Sequence, residues 1–274
     1  MFKNSLTATF GKYYIALLIM AACLPIPAQA INPMREYRMG PEHFNLAYEE
    51  VKVNTPDGHA LNVWVMEPAG GNTRGFSFII AGSDAGNMGF SLPYAFHLLN
   101  QGFGVITFDY RGFGESSDFA YHPDNLYHAE YIADFVAVCK WAKAEKQPGK
   151  IGVLAFSMGT LIAAAGYESA GYDLLVGEAV IKSPELVAQR IKLQKGKDLL
   201  LPESANTDGV KLSLIEVPIL LLASVSDPII TLEDSREIAA QRPNRKLLTF
   251  EGEHLRGAYA LGIERYVAEI GDFL

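Results

Sequence analysis

Ala155-Phe156-Ser157-Met158-Gly159 decides how this chain is read. An apolar run, Ile151 to Leu154, precedes it, and a run of small residues, Thr160 to Gly166, follows. The pattern is strand, sharp turn, helix. A serine at such a turn is lifted out of the sheet, with the following N–H groups aimed at whatever it attacks. The match to Gly-x-Ser-x-Gly lacks its first glycine, which is Ala155 here. Alanine is small enough for helix and strand to approach, but it does not take positive φ cheaply. The plainer reading is a serine that caps a helix N-terminus.

A serine hydroxyl becomes nucleophilic only when a base takes its proton, and that base needs an orienting acid. The apolar stretch Val217 to Ala223 reads as a strand running into Ser224-Val225-Ser226-Asp227-Pro228. A helical stretch follows, Leu232 to Ala240, and then a strand, Lys246 to Phe250, which leads into Glu251-Gly252-Glu253-His254. Asp227 and His254 therefore each sit just beyond a strand end. Taken singly, Asp227 is an Asp-Pro turn residue and His254 a loop histidine. Together with Ser157 they give the order Ser, Asp, His, at the strand ends where open α/β sheets bind ligands.

At this point the chain, from about Tyr48 to Leu274, resembles the α/β-hydrolase fold enzymes, in particular the bacterial serine hydrolases grouped with serine aminopeptidases and monoglyceride lipases. Thr55-Pro56-Asp57-Gly58 joins two strands, Glu49 to Asn54 and Leu61 to Met66, like the family's opening hairpin. Phe76 to Ala81 resembles the third strand and Gly104 to Phe108 the fourth. Asp109-Tyr110-Arg111-Gly112-Phe113-Gly114-Glu115-Ser116 is similar to the family's Asp-x-Arg-Gly-x-Gly-x-Ser segment. The resemblance implies a triad of Ser157, Asp227 and His254. It implies an oxyanion hole formed by the N–H groups of Met158 and Ser83, and a structural turn role for Asp109. It implies no cofactor and no metal. The loop Ala81-Gly82-Ser83-Asp84-Ala85-Gly86-Asn87 departs from the His-Gly common in relatives, and is similar to that of acyl-CoA thioesterases of the same fold. Asp84 is expected to point away from the site or to cap a helix starting near Leu92.

The fold expected is α/β, a mostly parallel sheet with helices on both faces and a small cap. The helix Tyr127 to Lys146 places Ile132, Phe135, Val136, Cys139 and Ala142 on one face. Cys139 reads as a buried, inert thiol. The segment where the family inserts its lid runs from Ser183 to Glu216, with a short amphipathic stretch and then a polar loop, Glu203 to Gly209. It is read as a cap insertion at about 183–216, able to roof only a small acyl pocket.

Residues 1–30 read as a signal peptide, 31–47 as an N-terminal extension and 48–274 as the hydrolase domain. Lys3 and Lys12 precede the short apolar run Tyr13 to Leu24, and Ala28-Gln29-Ala30 fits a cleavage site before Ile31. An uncleaved anchor and lipidation at Cys23 are the alternatives. The expectation is an exported protein, periplasmic or secreted, with no stable membrane insertion after cleavage. Residues 31–274 carry 21 basic and 31 acidic side chains, a formal charge of −10. That acidity argues against nucleic acid as a partner. The histidines outside the triad show no metal-ligand spacing, and the glycine pairs form no phosphate loop. The expected activity is hydrolysis of a small to medium carboxylic ester, the partner being a small-molecule ester or related acyl substrate. A thioesterase or an aminopeptidase on the same triad is the first alternative. A non-catalytic hydrolase-like binding protein is the second.

Overall fold

The computed structural model describes residues 30–71 and 73–274. The proposed signal peptide and Cys23 lie outside the described residues. The core is an eight-stranded sheet built from β2 (Glu49–Asn54), β3 (Ala60–Met66), β4 (Phe76–Ala81), β6 (Gly104–Phe108), β7 (Lys150–Phe156), β8 (Leu174–Glu178), β9 (Ile219–Ser224) and β10 (Arg245–Phe250). Its order is β10-β9-β8-β7-β4-β6-β3-β2. The β2–β3 and β3–β6 pairs are antiparallel and the others parallel. Two very short strands, β1 (Asn32–Pro33) and β5 (Ala85–Gly86), pair with each other outside this sheet.

The central strands are apolar throughout because both faces are covered. Along β7 Val153 points into one core and Leu154 into the other. The first core packs Ile79, Val153, Leu175 and Leu221 under α2 (Glu130–Trp141) and α3 (Met158–Ala170). The second packs Phe78, Ile80, Leu154, Val176 and Leu220 under α1 (Leu92–Asn100) and α8 (Ile263–Phe273). Each such side chain, fully buried, contributes about 1.5–3 kcal/mol. Cys139 is buried in the first core, where desolvation pushes its thiol up and keeps it inert.

The expected helix Tyr127–Lys146 starts later and ends looser. Its regular part is α2, and Ala142–Lys146 is wound with π spacing up to Gln147 at φ 47°. Its buried face centres on Tyr131, Asp134, Phe135 and Val138, with Ile132 and Val136 half-buried. Asp134 belongs there because it holds Arg111. Its two carboxylate oxygens take the Arg111 N–H at 2.9 Å and the guanidinium at 2.9 and 2.7 Å. Asp57 grips the other side of that guanidinium at 2.6 and 3.0 Å. Arg111 is 1 % exposed. It ties the hairpin turn, the loop after β6 and α2 together. Removing one partner of such a buried set leaves an uncompensated charge.

The segment 183–216 is two helices, α4 (Pro184–Lys195) and α5 (Ala205–Leu214). Of the Glu203–Gly209 stretch, expected as a polar loop, only Glu203 and Ser204 form a turn; Ala205–Gly209 is the start of α5. Its polar composition hides a face on which Ala205, Asp208 and Leu212 are buried. The Tyr127 hydroxyl donates to Asp208 at 2.5 Å, and this tertiary contact is absent from any local pattern. Two further helices, α6 (Leu232–Ala240) and α7 (Gly257–Leu261), follow β9 and β10. Among the described residues no helix is long and apolar enough to cross a membrane.

Candidate active site

Ser157 sits between β7 and α3 at φ 48°, ψ −113°, a backbone region costly for a side-chain-bearing residue. Surrounding bonds hold it there. Its N–H donates to the Glu178 carbonyl at 3.0 Å, and its carbonyl accepts from the Thr160 N–H at 2.8 Å and the Thr160 hydroxyl at 2.7 Å. Gly159 makes the turn possible. A Cβ there would lie 2.3 Å from the Ala81 carbonyl oxygen and 2.5 Å from that of Gly82. Ala155, by contrast, lies in regular strand opposite Ala81 and Gly177, so the motif's missing first glycine requires no unusual backbone.

His254 follows β10, and its Nε2 lies 3.1 Å from Ser157 Oγ. Its Nδ1 lies 2.6 Å from Asp227 Oδ2. Asp227 follows β9, and its Oδ1 accepts the N–H groups of Ile229 and Ile230 at 2.8 and 3.0 Å. Burial alone pushes the Asp227 carboxyl up. The His254 bond and charge and the two N–H groups outweigh that and hold it below its ordinary value. An ionised Asp227 requires the proton on Nδ1 and leaves the Nε2 lone pair facing the serine. The Asp and His loops are also tied to each other. The hydroxyls of Ser224 and Ser226 both donate to the Gly252 carbonyl, Ser226 at 2.5 Å.

Ser83 lies in the loop after β4 and Met158 opens α3. Among the described residues neither N–H donates to an acceptor in the protein. Asp84 is half-buried and caps nothing: Ser91 precedes α1 without a side-chain bond, and Asn87 caps the short turn Met88–Ser91. Burial pushes the Asp84 carboxyl up, against the opposing effects of its own backbone N–H and of His254 and Lys195. Glu251 and Glu253 are exposed.

A cavity of about 400 Å³ opens beside these groups. Phe156 and Leu255, chain neighbours of Ser157 and His254, line it together with Ser83. No residue of 183–216 is among those lining this cavity. Of the two helices there, α5 packs on α3, and α4 reaches the loop of Asp227 through Arg190, which donates to the Ile229 carbonyl at 2.9 Å and to Asp234; between them Leu200 accepts the Leu126 N–H at 2.9 Å.

Asp109 lines that cavity too. It accepts the Met88 N–H at 2.7 Å and the Tyr37 hydroxyl. A Cβ on Gly114 would fall 1.8 Å from its Oδ2, which explains that glycine. Ser116 Oγ donates to the Asp109 carbonyl at 2.7 Å and accepts the Asn62 N–H at 2.8 Å. The Asp-x-Arg-Gly-x-Gly-x-Ser segment is thus a knot of mutual bonds.

Sequence reasoning missed Glu178. It is fully buried at the end of β8, and its Oε1 accepts the Gly257 N–H at 2.7 Å. A carboxylate inside the otherwise apolar Leu174 to Ile181 was the available signal. The strand ends at Glu178, three residues before the apolar run does, where Ala179 turns to φ 56°.

Residues 85–184 match the family described as alpha/beta hydrolase fold. The Pyrococcus furiosus esterase Pf2001 superposes with a TM-score of 0.72 at 24 % identity, over 89 % of this chain and 98 % of that one. XC6422 from Xanthomonas campestris, a member of a/b serine hydrolases without lid, does so with a TM-score of 0.55 at 17 % identity, over 80 % and 94 %.

The chain has the α/β-hydrolase fold.

In that fold the strand-to-helix turn holding Ser157 and the loops after β9 and β10 gather on one edge of the sheet. A sequence relative, the uncharacterized protein YfhR of Salmonella typhi, is 25 % identical over 93 % of this chain and 92 % of its own length.

Proposed function

We propose that this α/β-hydrolase-fold protein hydrolyses carboxylic esters through an acyl-enzyme on Ser157. The observation that carries the reading is the unbroken relay Asp227–His254–Ser157, with spacings of 2.6 and 3.1 Å, beside two N–H groups without acceptors among the described residues. His254 Nε2 takes the Ser157 proton as Oγ attacks the carbonyl carbon. The oxyanion that forms lies where the Met158 and Ser83 N–H groups can donate to it. Each such donor is typically worth about 2.7–4 kcal/mol in the transition state. The intermediate collapses, the ester C–O bond breaks, and His254 returns its proton to the leaving alkoxide. Water then enters, His254 removes its proton, and the acid departs with Ser157 restored. Asp227 keeps the imidazole in the required tautomer and stabilises its charged form.

The substrate proposed is a small to medium ester, whose acyl part the 400 Å³ cavity would accept. Thioesters and aminoacyl amides use the same steps and are decided by assay. We also propose export, with cleavage before Ile31. An alkyl fluorophosphonate tests the central claim: labelling at Ser157 that Ser157→Ala abolishes is expected. An unlabelled folded protein, inert toward p-nitrophenyl esters, acyl-CoA and aminoacyl anilides, would make it a hydrolase-like binding protein instead.

A further inference from the structure

Residues 31–39 were expected only as an extension ahead of the domain, yet they run through the substrate side of the molecule. The strap is anchored at both ends. Ile31 is wholly buried in the first core, and its N–H and that of Ala30 donate to the Pro123 carbonyl at 3.1 and 2.8 Å. Tyr37 places its hydroxyl on Asp109, and the same oxygen accepts from Asn62 Nδ2 at 3.0 Å and from the Glu115 N–H at 3.2 Å. Between these anchors the strap pairs with the loop that carries Ser83. Asn32 N–H donates to the Asp84 carbonyl and Met34 N–H to the Gly86 carbonyl, both at 2.8 Å. Asn87 completes the pairing from the other side. Its Nδ2 donates to the carbonyls of Met34 at 3.2 Å and Glu36 at 2.8 Å, while its Oδ1 takes the Gly89 N–H.

These bonds surround the cavity beside the site. Asn32 and Met34 line it, together with Phe156 and Tyr94. The lining is mostly apolar, which suits a hydrocarbon chain. The volume available to that chain is therefore bounded by the strap.

We propose that residues 31–39 are part of the substrate site: Met34 and Asn32 wall the pocket for the acyl chain, and the pairing of the strap with Ala85–Gly86 holds the loop bearing Ser83 in place. The inference rests on the hydrolase reading above and adds what sets its chain-length preference. Met34 is the specificity-determining side chain, being the longest apolar group the strap offers to the cavity. Asn87 is a positioning residue, acting on Ser83 through the loop it fastens.

Three point variants of the full chain test this, with p-nitrophenyl esters of graded acyl length as probes. Met34 is half-buried, so its replacement spares the core. Met34→Ala enlarges the pocket and should move the kcat/KM optimum roughly two to four carbons longer. Met34→Trp should shorten the optimum. Asn87→Asp keeps the acceptor for the Gly89 N–H but loses both donors to the strap. It should lower kcat on every ester about tenfold or more, with KM moving less, because a loosened donor is lost mainly in the transition state. A wild type that is active and labelled at Ser157, with Met34 variants that keep its chain-length profile, overturns the strap while leaving the hydrolase standing. A wild type silent toward esters and fluorophosphonate overturns the hydrolase reading and the pocket assignment with it.

Discussion

The main-chain N–H of Ser157 donates to the carbonyl of Glu178 at 3.0 Å, and the carboxylate of the same Glu178 takes the N–H of Gly257 at 2.7 Å. One residue thus fastens both the serine turn and the start of α7, three residues past His254. A Cβ on Gly257 would come within 2.9 Å of that carboxylate, so loop and side chain are in direct contact. Burial pushes the Glu178 carboxyl up, and glutamine is the isostere of its neutral form. Glu178→Gln should keep most of the activity. Glu178→Leu orphans a buried N–H, costing roughly 1–3 kcal/mol of stability, and should lower kcat more than it raises KM. Thermal unfolding and ester kinetics of the two variants check this, and equal kinetics for both would show that Glu178 does not steady His254.

Ser157→Ala and Asp227→Asn should each lower kcat on the order of 10⁴-fold, with little change in KM, because both residues act in the transition state. Asp227 is 6 % exposed and bonded by two backbone N–H groups, so the asparagine variant should fold with the same fluorescence and melting profile. A Ser157→Ala enzyme with a tenth of wild-type activity would mean that the nucleophile lies elsewhere.

Asp109 should give stability a distinctive pH dependence. Burial raises its carboxyl to about 7 in the folded protein, against an ordinary value of 3.8 when unfolded. Between those values the folded state holds a proton that the unfolded state releases. The contribution of Asp109 to stability is therefore greatest below about pH 4 and falls as pH rises through about 7. At about 1.4 kcal/mol per pKa unit the loss is on the order of a few kcal/mol. Asp109→Asn should lower stability at low pH, where it loosens the bond to Tyr37, and should remove this slope. The measurement is the difference in unfolding free energy between wild type and variant, from pH 4 to 8. A difference constant across that range would refute the shift.

The acyl-length optimum of the wild type should fall at short to medium chains, roughly two to eight carbons. Each methylene placed in the cavity adds about 0.8 kcal/mol until the space is filled. Kinetics on a graded ester series give the profile. A preference for emulsified long-chain lipid, with activity rising at an oil–water interface, would contradict it.

The exported chain should begin at Ile31. Cleavage there leaves the strap whole, with the new ammonium group next to the Pro123 carbonyl, which the Ile31 nitrogen already approaches at 3.1 Å. Intact mass or N-terminal sequencing of the mature protein reads the terminus directly. A diacylglycerol-modified Cys23 at that terminus would refute cleavage before Ile31.

Much of the architecture was legible along the chain. Local pattern alone gives Phe76–Ala81, Gly104–Phe108 and Leu232–Ala240 the bounds they have in the fold. These elements are long, apolar or cleanly periodic, so local pattern and tertiary burial agree. The first half of α5, up to Gly209, reads as a loop because its buried face is sparse and its first turn polar.

For the candidate site, the sequence by itself determined the chemistry available. Ser157, Asp227 and His254 stand at strand ends, in an order that a parallel sheet brings to one edge, and strand periodicity is a local property. Only the tertiary structure decided which groups surround them. Glu178 behind the serine, the Ser224 and Ser226 hydroxyls on the Gly252 carbonyl, and Met34 in the cavity wall are contacts between segments far apart in the chain. Such contacts depend on how the layers pack, and one-dimensional spacing carries no record of that. The same reason holds for residues 31–39, which backbone pairing with Ala85–Gly86 brings beside that cavity, a contact no local pattern announces.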